Sequence, residues 1–131
     1  GLLRSAHDCA EGGLAVCLVE CAVADPERPL GVEVALEDDL PPAALFFGEA
    51  QGRIVVSCAP DAADAALRAA AAHGVPARRI GTVGAPGGTF RIRAPAATLE
   101  APIARLAEVY YTAIPRLMER AAGHEDTGPA G

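Results

Sequence analysis

The chain has 131 residues, a net charge of −6 and a hydrophobic content of 51%, with three Phe, two Tyr and no Trp. That length suits one domain with its own core, and the composition makes that core one of Leu, Val, Ile and Ala. Every basic residue is an arginine and these are scattered, so the basic stripe of a nucleic-acid binder is missing. No apolar run reaches the roughly 18 to 20 residues of a membrane span.

The opening, Gly1-Leu2-Leu3, has no Met and lacks the order of a signal peptide. It reads as part of a longer, cytoplasmic protein. Residues 1–10 are expected as an entry segment ending in a glycine pair. Gly13 to Val23 reads as a largely buried helix, apolar on nearly every side, and Asp25-Pro26 ends it. Gly31 to Leu36 alternates as a strand. A loop with Pro41-Pro42 and the apolar step Ala44 to Phe47 follows. Arg53 to Cys58, with its β-branched run, is expected as a central strand. Pro60 suits the first turn of a helix that ends at His73, with Gly74 as the residue after its C-cap. Arg78–Val83 and Thr89–Arg93 read as strands around a turn at Ala85 to Gly88. Leu99 to about Ala122 carries helical spacing, with Pro102 in the first turn and a kink at Pro115. The expected class is therefore α+β, with a mixed sheet of about four strands. The domain spans 1–122 and a disordered tail spans 123–131.

Cys9, Cys17, Cys21 and Cys58 offer neither a CxxC pair nor paired histidines, so no zinc signature is present. They read as reduced structural residues. Two loops carry the chemistry. His7 and Asp8 precede Gly12-Gly13 at a helix start, where backbone N–H groups and the helix dipole can meet an anion. The alternative is that Asp8 caps the helix and the glycines shape a turn. Gly48-Glu49-Ala50-Gln51-Gly52-Arg53 feeds straight into a strand. There Glu49 can orient ammonia or an amide nitrogen or join a metal shell, Gln51 can read an amide, and Arg53 can pair with phosphate or carboxylate. The alternative is a structural pair of Glu49 with Arg53. His73 suits a helix C-terminus, and Arg91 and Arg93 suit a solvated sheet face.

Ser5-Ala6-His7-Asp8-Cys9-Ala10-Glu11-Gly12-Gly13-Leu14-Ala15 resembles the segment that opens the last domain of the phosphoribosylformylglycinamidine synthase family. Leu45 to Ser57 resembles the glutamate–glutamine loop and following strand of the same domain. His73 to Pro76 and Ile80 to Gly84 also fit. The likeness covers residues 1 to about 93, and Ala50 stands where that family commonly has serine. The resemblance implies a three-layer α/β/α C-terminal domain with partial ferredoxin-like topology. It also implies an ATP-dependent ligase that converts formylglycinamide ribonucleotide and glutamine-derived ammonia to the amidine. ATP and magnesium are implied as bound mainly by domains absent from this chain. The implied partners are a preceding N-domain and a glutaminase, with no nucleic acid and no membrane. His7, Asp8, Gly12, Gly13, Glu49, Gln51 and Arg53 are then residues of a nucleotide or substrate cleft, either catalytic or auxiliary. Two alternatives stand beside this: a C-domain of another ATP-dependent member of the superfamily, or a non-catalytic ferredoxin-like ligand-binding module.

Overall fold

The computed structural model describes residues 1–122, with side chains to residue 120, so the expected tail lies outside the described residues. Eleven elements follow in order: β1 (Leu3–Asp8), α1 (Gly13–Ala22), β2 (Leu30–Ala35), α2 (Pro42–Phe47), β3 (Ile54–Cys58), a 3-10 turn (Pro60–Ala62), α3 (Ala63–Ala72), β4 (Gly81–Pro86), β5 (Thr89–Ala94), β6 (Ala97–Pro102) and α4 (Ile103–Ala122). The class is α+β, as expected.

A four-stranded mixed sheet runs in the order β4-β2-β5-β6. Strand β2 is antiparallel to β4 and parallel to β5, and β6 returns antiparallel along β5. Period-two alternation decides its faces. Val32, Val34, Phe90 and Ile92 point into the core with Leu14, Leu18 and Val23 of the α1 segment and Ile103 of α4. On the opposite face Arg91 joins Glu33 and Glu100 at 3.0 and 2.6 Å, and Arg93 pairs with Glu33. Tyr111 donates its hydroxyl hydrogen to the Val23 carbonyl, which ties α4 to the end of α1.

Five expectations are corrected. Residues 3–8 form a strand, β1, rather than an entry loop. Its sequence has no apolar alternation, and its order comes from a ladder to β3, far along the chain. Strand β3 is not central. It pairs only with β1 in a separate two-stranded sheet, leaving Ile54 and Val56 exposed. The stretch after Pro41 folds as the short helix α2, with Pro42 in its first turn. Leu99 and Pro102 belong to β6, and α4 begins only at Ile103. There the β5–β6 hairpin pairs Ile92 with Leu99 and Thr89 with Pro102, and pairing overrides the local helical spacing. The strand expected over 78–83 is shifted to Gly81–Pro86, while α4 continues through Pro115.

Candidate functional site

The two motif loops meet. Helix α1 starts at a left-handed glycine, Gly12 with φ +77°, followed by Gly13 at φ +69°. The Gly12 N–H donates to Glu49 Oε1 at 3.0 Å, across 37 positions of sequence. Glu49 therefore occupies an amide that a helix start leaves without a backbone partner. Of the alternative readings, the glycines do shape the turn into α1, but the specific pairings are not found. Asp8 makes no cap contact to α1, and Arg53 reaches the Gly48 carbonyl at 3.5 Å rather than Glu49.

Glycine is required where the loops touch. A Cβ on Gly13 would lie 2.6 Å from the Phe47 carbonyl carbon and 2.8 Å from the Gly48 oxygen, inside contact distance of backbone that cannot swing away. The Cys9 N–H donates to the Arg53 carbonyl at 2.9 Å, so the ends of β1 and β3 are joined as well.

Between the loops lies an open cleft of about 550 Å³ lined by Asp8 to Glu11 and Glu49 to Arg53. Of the residues picked out from sequence, Asp8, Glu49, Gln51 and Arg53 line it together. Gly12 and Gly13 form its rear support through the contacts just described. Asp8, Glu11 and Glu49 set three carboxylates against the single guanidinium of Arg53. Arg53 also borders a second, smaller hollow of about 300 Å³ with Asp38 and Arg78, which pair with each other.

His7 is placed elsewhere. It pairs with Val55 in the β1–β3 ladder, and its Nδ1 stays 3.9 Å from Asp8 Oδ1. Its ring lies against α1, with Nδ1 3.6 Å from Cys17 Sγ and 2.8 Å from the Asp8 carbonyl oxygen, and Nε2 3.4 Å from Glu20 Oε2. Cys21 completes a group whose three ligand-type atoms, with those of His7 and Cys17, all lie within 4.8 Å of one another. Burial, with the Cys9 and Cys21 thiols close by, pushes the Cys17 thiol far above its ordinary pKa, and burial also raises Cys21. Sequence reasoning had set these cysteines aside as core. The available signal was the i, i+4 spacing of Cys17 and Cys21, which share one helix face. It gains meaning only once β1 carries His7 alongside that face. Among the described residues, no helix is long and apolar enough to cross a membrane.

Residues 1–93 match the protein family described as AIR synthase related protein, C-terminal domain. The phosphoribosylformylglycinamidine synthase subunit PurL of Moorella thermoacetica is 43% identical over 121 residues, which is 92% of this chain and 16% of that protein. The same subunit from Chlorobium luteolum is 49% identical over 86 residues, 63% of this chain and 11% of that protein. The chain thus spans less than a fifth of the curated relatives it matches. Among solved structures, Thermotoga maritima PurL complexed with ATP superposes with a TM-score of 0.67 at 26% identity, over 82% of this chain and 19% of that one. The same protein has been solved complexed with FGAR, at TM-score 0.68 and 24% identity, covering 82% of this chain and 18% of that one. It has also been solved as PurLQS, at TM-score 0.68 and 24% identity, covering 82% and 19%.

Proposed function

Because the chain belongs to the AIR synthase related C-terminal domain family, we propose that it is the cleft-covering C-terminal domain of a phosphoribosylformylglycinamidine synthase. The observation that carries this reading is the Glu49 to Gly12 hydrogen bond, which joins both family-like motifs into one cleft. In the reaction, ATP phosphorylates the amide oxygen of formylglycinamide ribonucleotide. Ammonia released from glutamine by a glutaminase then displaces phosphate, leaving the amidine, ADP and phosphate. The preceding N-domain of the same protein supplies the rest of the cleft, and the enzyme works in the cytoplasm.

Within this chain, Arg53 is the cationic group able to meet a phosphate or carboxylate, and Gln51 offers both a donor and an acceptor. Glu49 holds the start of α1 in place. The carboxylates of Asp8 and Glu11 are exposed oxygen donors of the kind magnesium takes. Magnesium would offset charge on the bound phosphates, held mainly by the N-domain. An auxiliary nucleotide site, rather than the reacting one, is favoured by a specific feature: the Gly12 amide is already taken by Glu49, so the helix start has one donor fewer for phosphate.

The test uses the full-length protein with saturating ammonium salt, so that the glutaminase is bypassed. Glu49→Ala is expected to lower synthase turnover, because it frees the start of α1 that shapes the cleft. Glutaminase activity of the partner stays normal. Normal synthase kinetics and normal melting in both Glu49→Ala and Arg53→Ala would overturn the reading.

A further inference from the structure

The cluster of His7, Cys17 and Cys21 lies outside the lining of the cleft and plays no part in the reading above. We propose that these three residues bind a zinc ion. Four features converge on this. The ligand atoms are gathered within 4.8 Å of one another. The His7 Nδ1 to Cys17 Sγ separation of 3.6 Å is close to the roughly 3.5 Å expected between a nitrogen and a sulfur on one tetrahedral zinc, given bonds of about 2.0 and 2.3 Å. The outer ring nitrogen, Nε2, faces the Glu20 carboxylate at 3.4 Å. A carboxylate behind a ligating histidine is the usual device for fixing its tautomer and raising its basicity. Two sulfurs and one imidazole form a soft donor set that discriminates against magnesium and calcium.

Charge and access agree. Two thiolates and a neutral imidazole cancel the charge of a divalent ion, which suits a site that is buried at Cys17 and open at its rim. The His7 and Glu20 side chains are 37% and 31% exposed, so an ion has a way in and water can take the fourth position. On binding, the two thiols give their protons to solvent while two Zn–S bonds and one Zn–N bond form. The ion also has to displace two contacts. Nδ1 must turn from the Asp8 carbonyl, 2.8 Å away, and the Cys17 thiol must leave the His7 carbonyl, 3.8 Å away. The consequence is a clamp between β1 and α1, independent of any nucleotide.

The experiment is a cobalt titration of the reduced, chelator-treated chain, with cobalt as the spectroscopic stand-in for zinc. The expected result is one equivalent bound, with sulfur-to-metal charge-transfer absorption and the strong visible bands of tetrahedral cobalt, both bleached by added zinc. Zinc at a hundred times its Kd raises the melting temperature by about 10 °C. Cys21→Ser and His7→Gln each abolish the tetrahedral spectrum, while Cys58→Ser, whose thiol lies outside the cluster, retains it. Cys17 is so deeply buried that its variants can fail to fold, which is why the half-exposed Cys21 and His7 decide the matter. Absence of the charge-transfer band overturns the proposal. So does a band unchanged in Cys21→Ser and His7→Gln, or loss of two thiols to a disulfide on air oxidation with no metal uptake.

Discussion

Gly13→Ala tests whether the two motif loops are pressed together as described. Gly13 has φ +69°, and its added methyl would sit 2.6 Å from the Phe47 carbonyl carbon and 2.8 Å from both the Phe47 Cα and the Gly48 oxygen. Holding a non-glycine residue in the left-handed region costs about 1–2 kcal/mol. Forcing a methyl into close-packed backbone adds about 1–3 kcal/mol, so the total is about 2–5 kcal/mol. For a chain of 131 residues the unfolding entropy is about 0.28 kcal/mol per degree, and the melting temperature should fall by roughly 7–18 °C. Gly52 is the matched control. Its φ is +75°, but a Cβ there meets nothing within 4 Å. Gly52→Ala should cost only the conformational part, about 1–2 kcal/mol or roughly 4–7 °C. Both variants are followed by circular dichroism on heating. If they melt together, the contact between α1 and the Phe47–Gly48 backbone is not tight, and the account of a fused cleft fails.

Phe90 is fully buried at the centre of the sheet beside Ile92. Phe90→Ala should cost about 3–5 kcal/mol, read as a lower urea midpoint with an unchanged slope. A loss below about 1 kcal/mol would mean that the sheet's buried face is loosely packed. The Arg91 guanidinium, bonded to Glu100 at 2.6 Å, holds the Glu100 carboxyl below its ordinary pKa. Because the folded value is the lower one, any stability from this pair is present above the ordinary carboxylate range and is lost as pH falls through the folded value. An NMR titration of Glu100 should show that depression, and Arg91→Ala should remove it. An unshifted Glu100 in the parent chain would refute the pairing.

Most elements with a local signal were legible in the sequence. Buried α1, alternating β2 and β5, and α3 with its His73 C-cap and Gly74 at φ +68° all follow from periodicity and from glycine and proline placement. What could not be read locally was pairing. Strand β1 has no apolar alternation and is ordered by β3, and β6 is ordered by β5 against its own helical spacing. The same blindness affected the site. Glu49 and Gly12 stood out separately, yet nothing local says that one bonds the other. His7 looked like a member of the cleft beside Asp8, whereas its ring, still 3.9 Å from the Asp8 carboxylate, packs against Cys17 and Glu20 of α1. The meeting of His7 with Cys17 and Cys21 is likewise a product of packing β1 on α1.

The ladder between β1 and β3 also sets a timetable. Its partners, such as His7 and Val55, come from distant parts of the chain, and contacts of that kind form only after a large loop has been closed. During synthesis β1 emerges first and must wait, unpaired, until β3 and the loop before it have been made. An unpaired strand is a target for wrong partners and for chaperones. The two rims of the cleft therefore meet in one late step, so a chain halted before residue 48 holds the first motif without the second and no cleft at all.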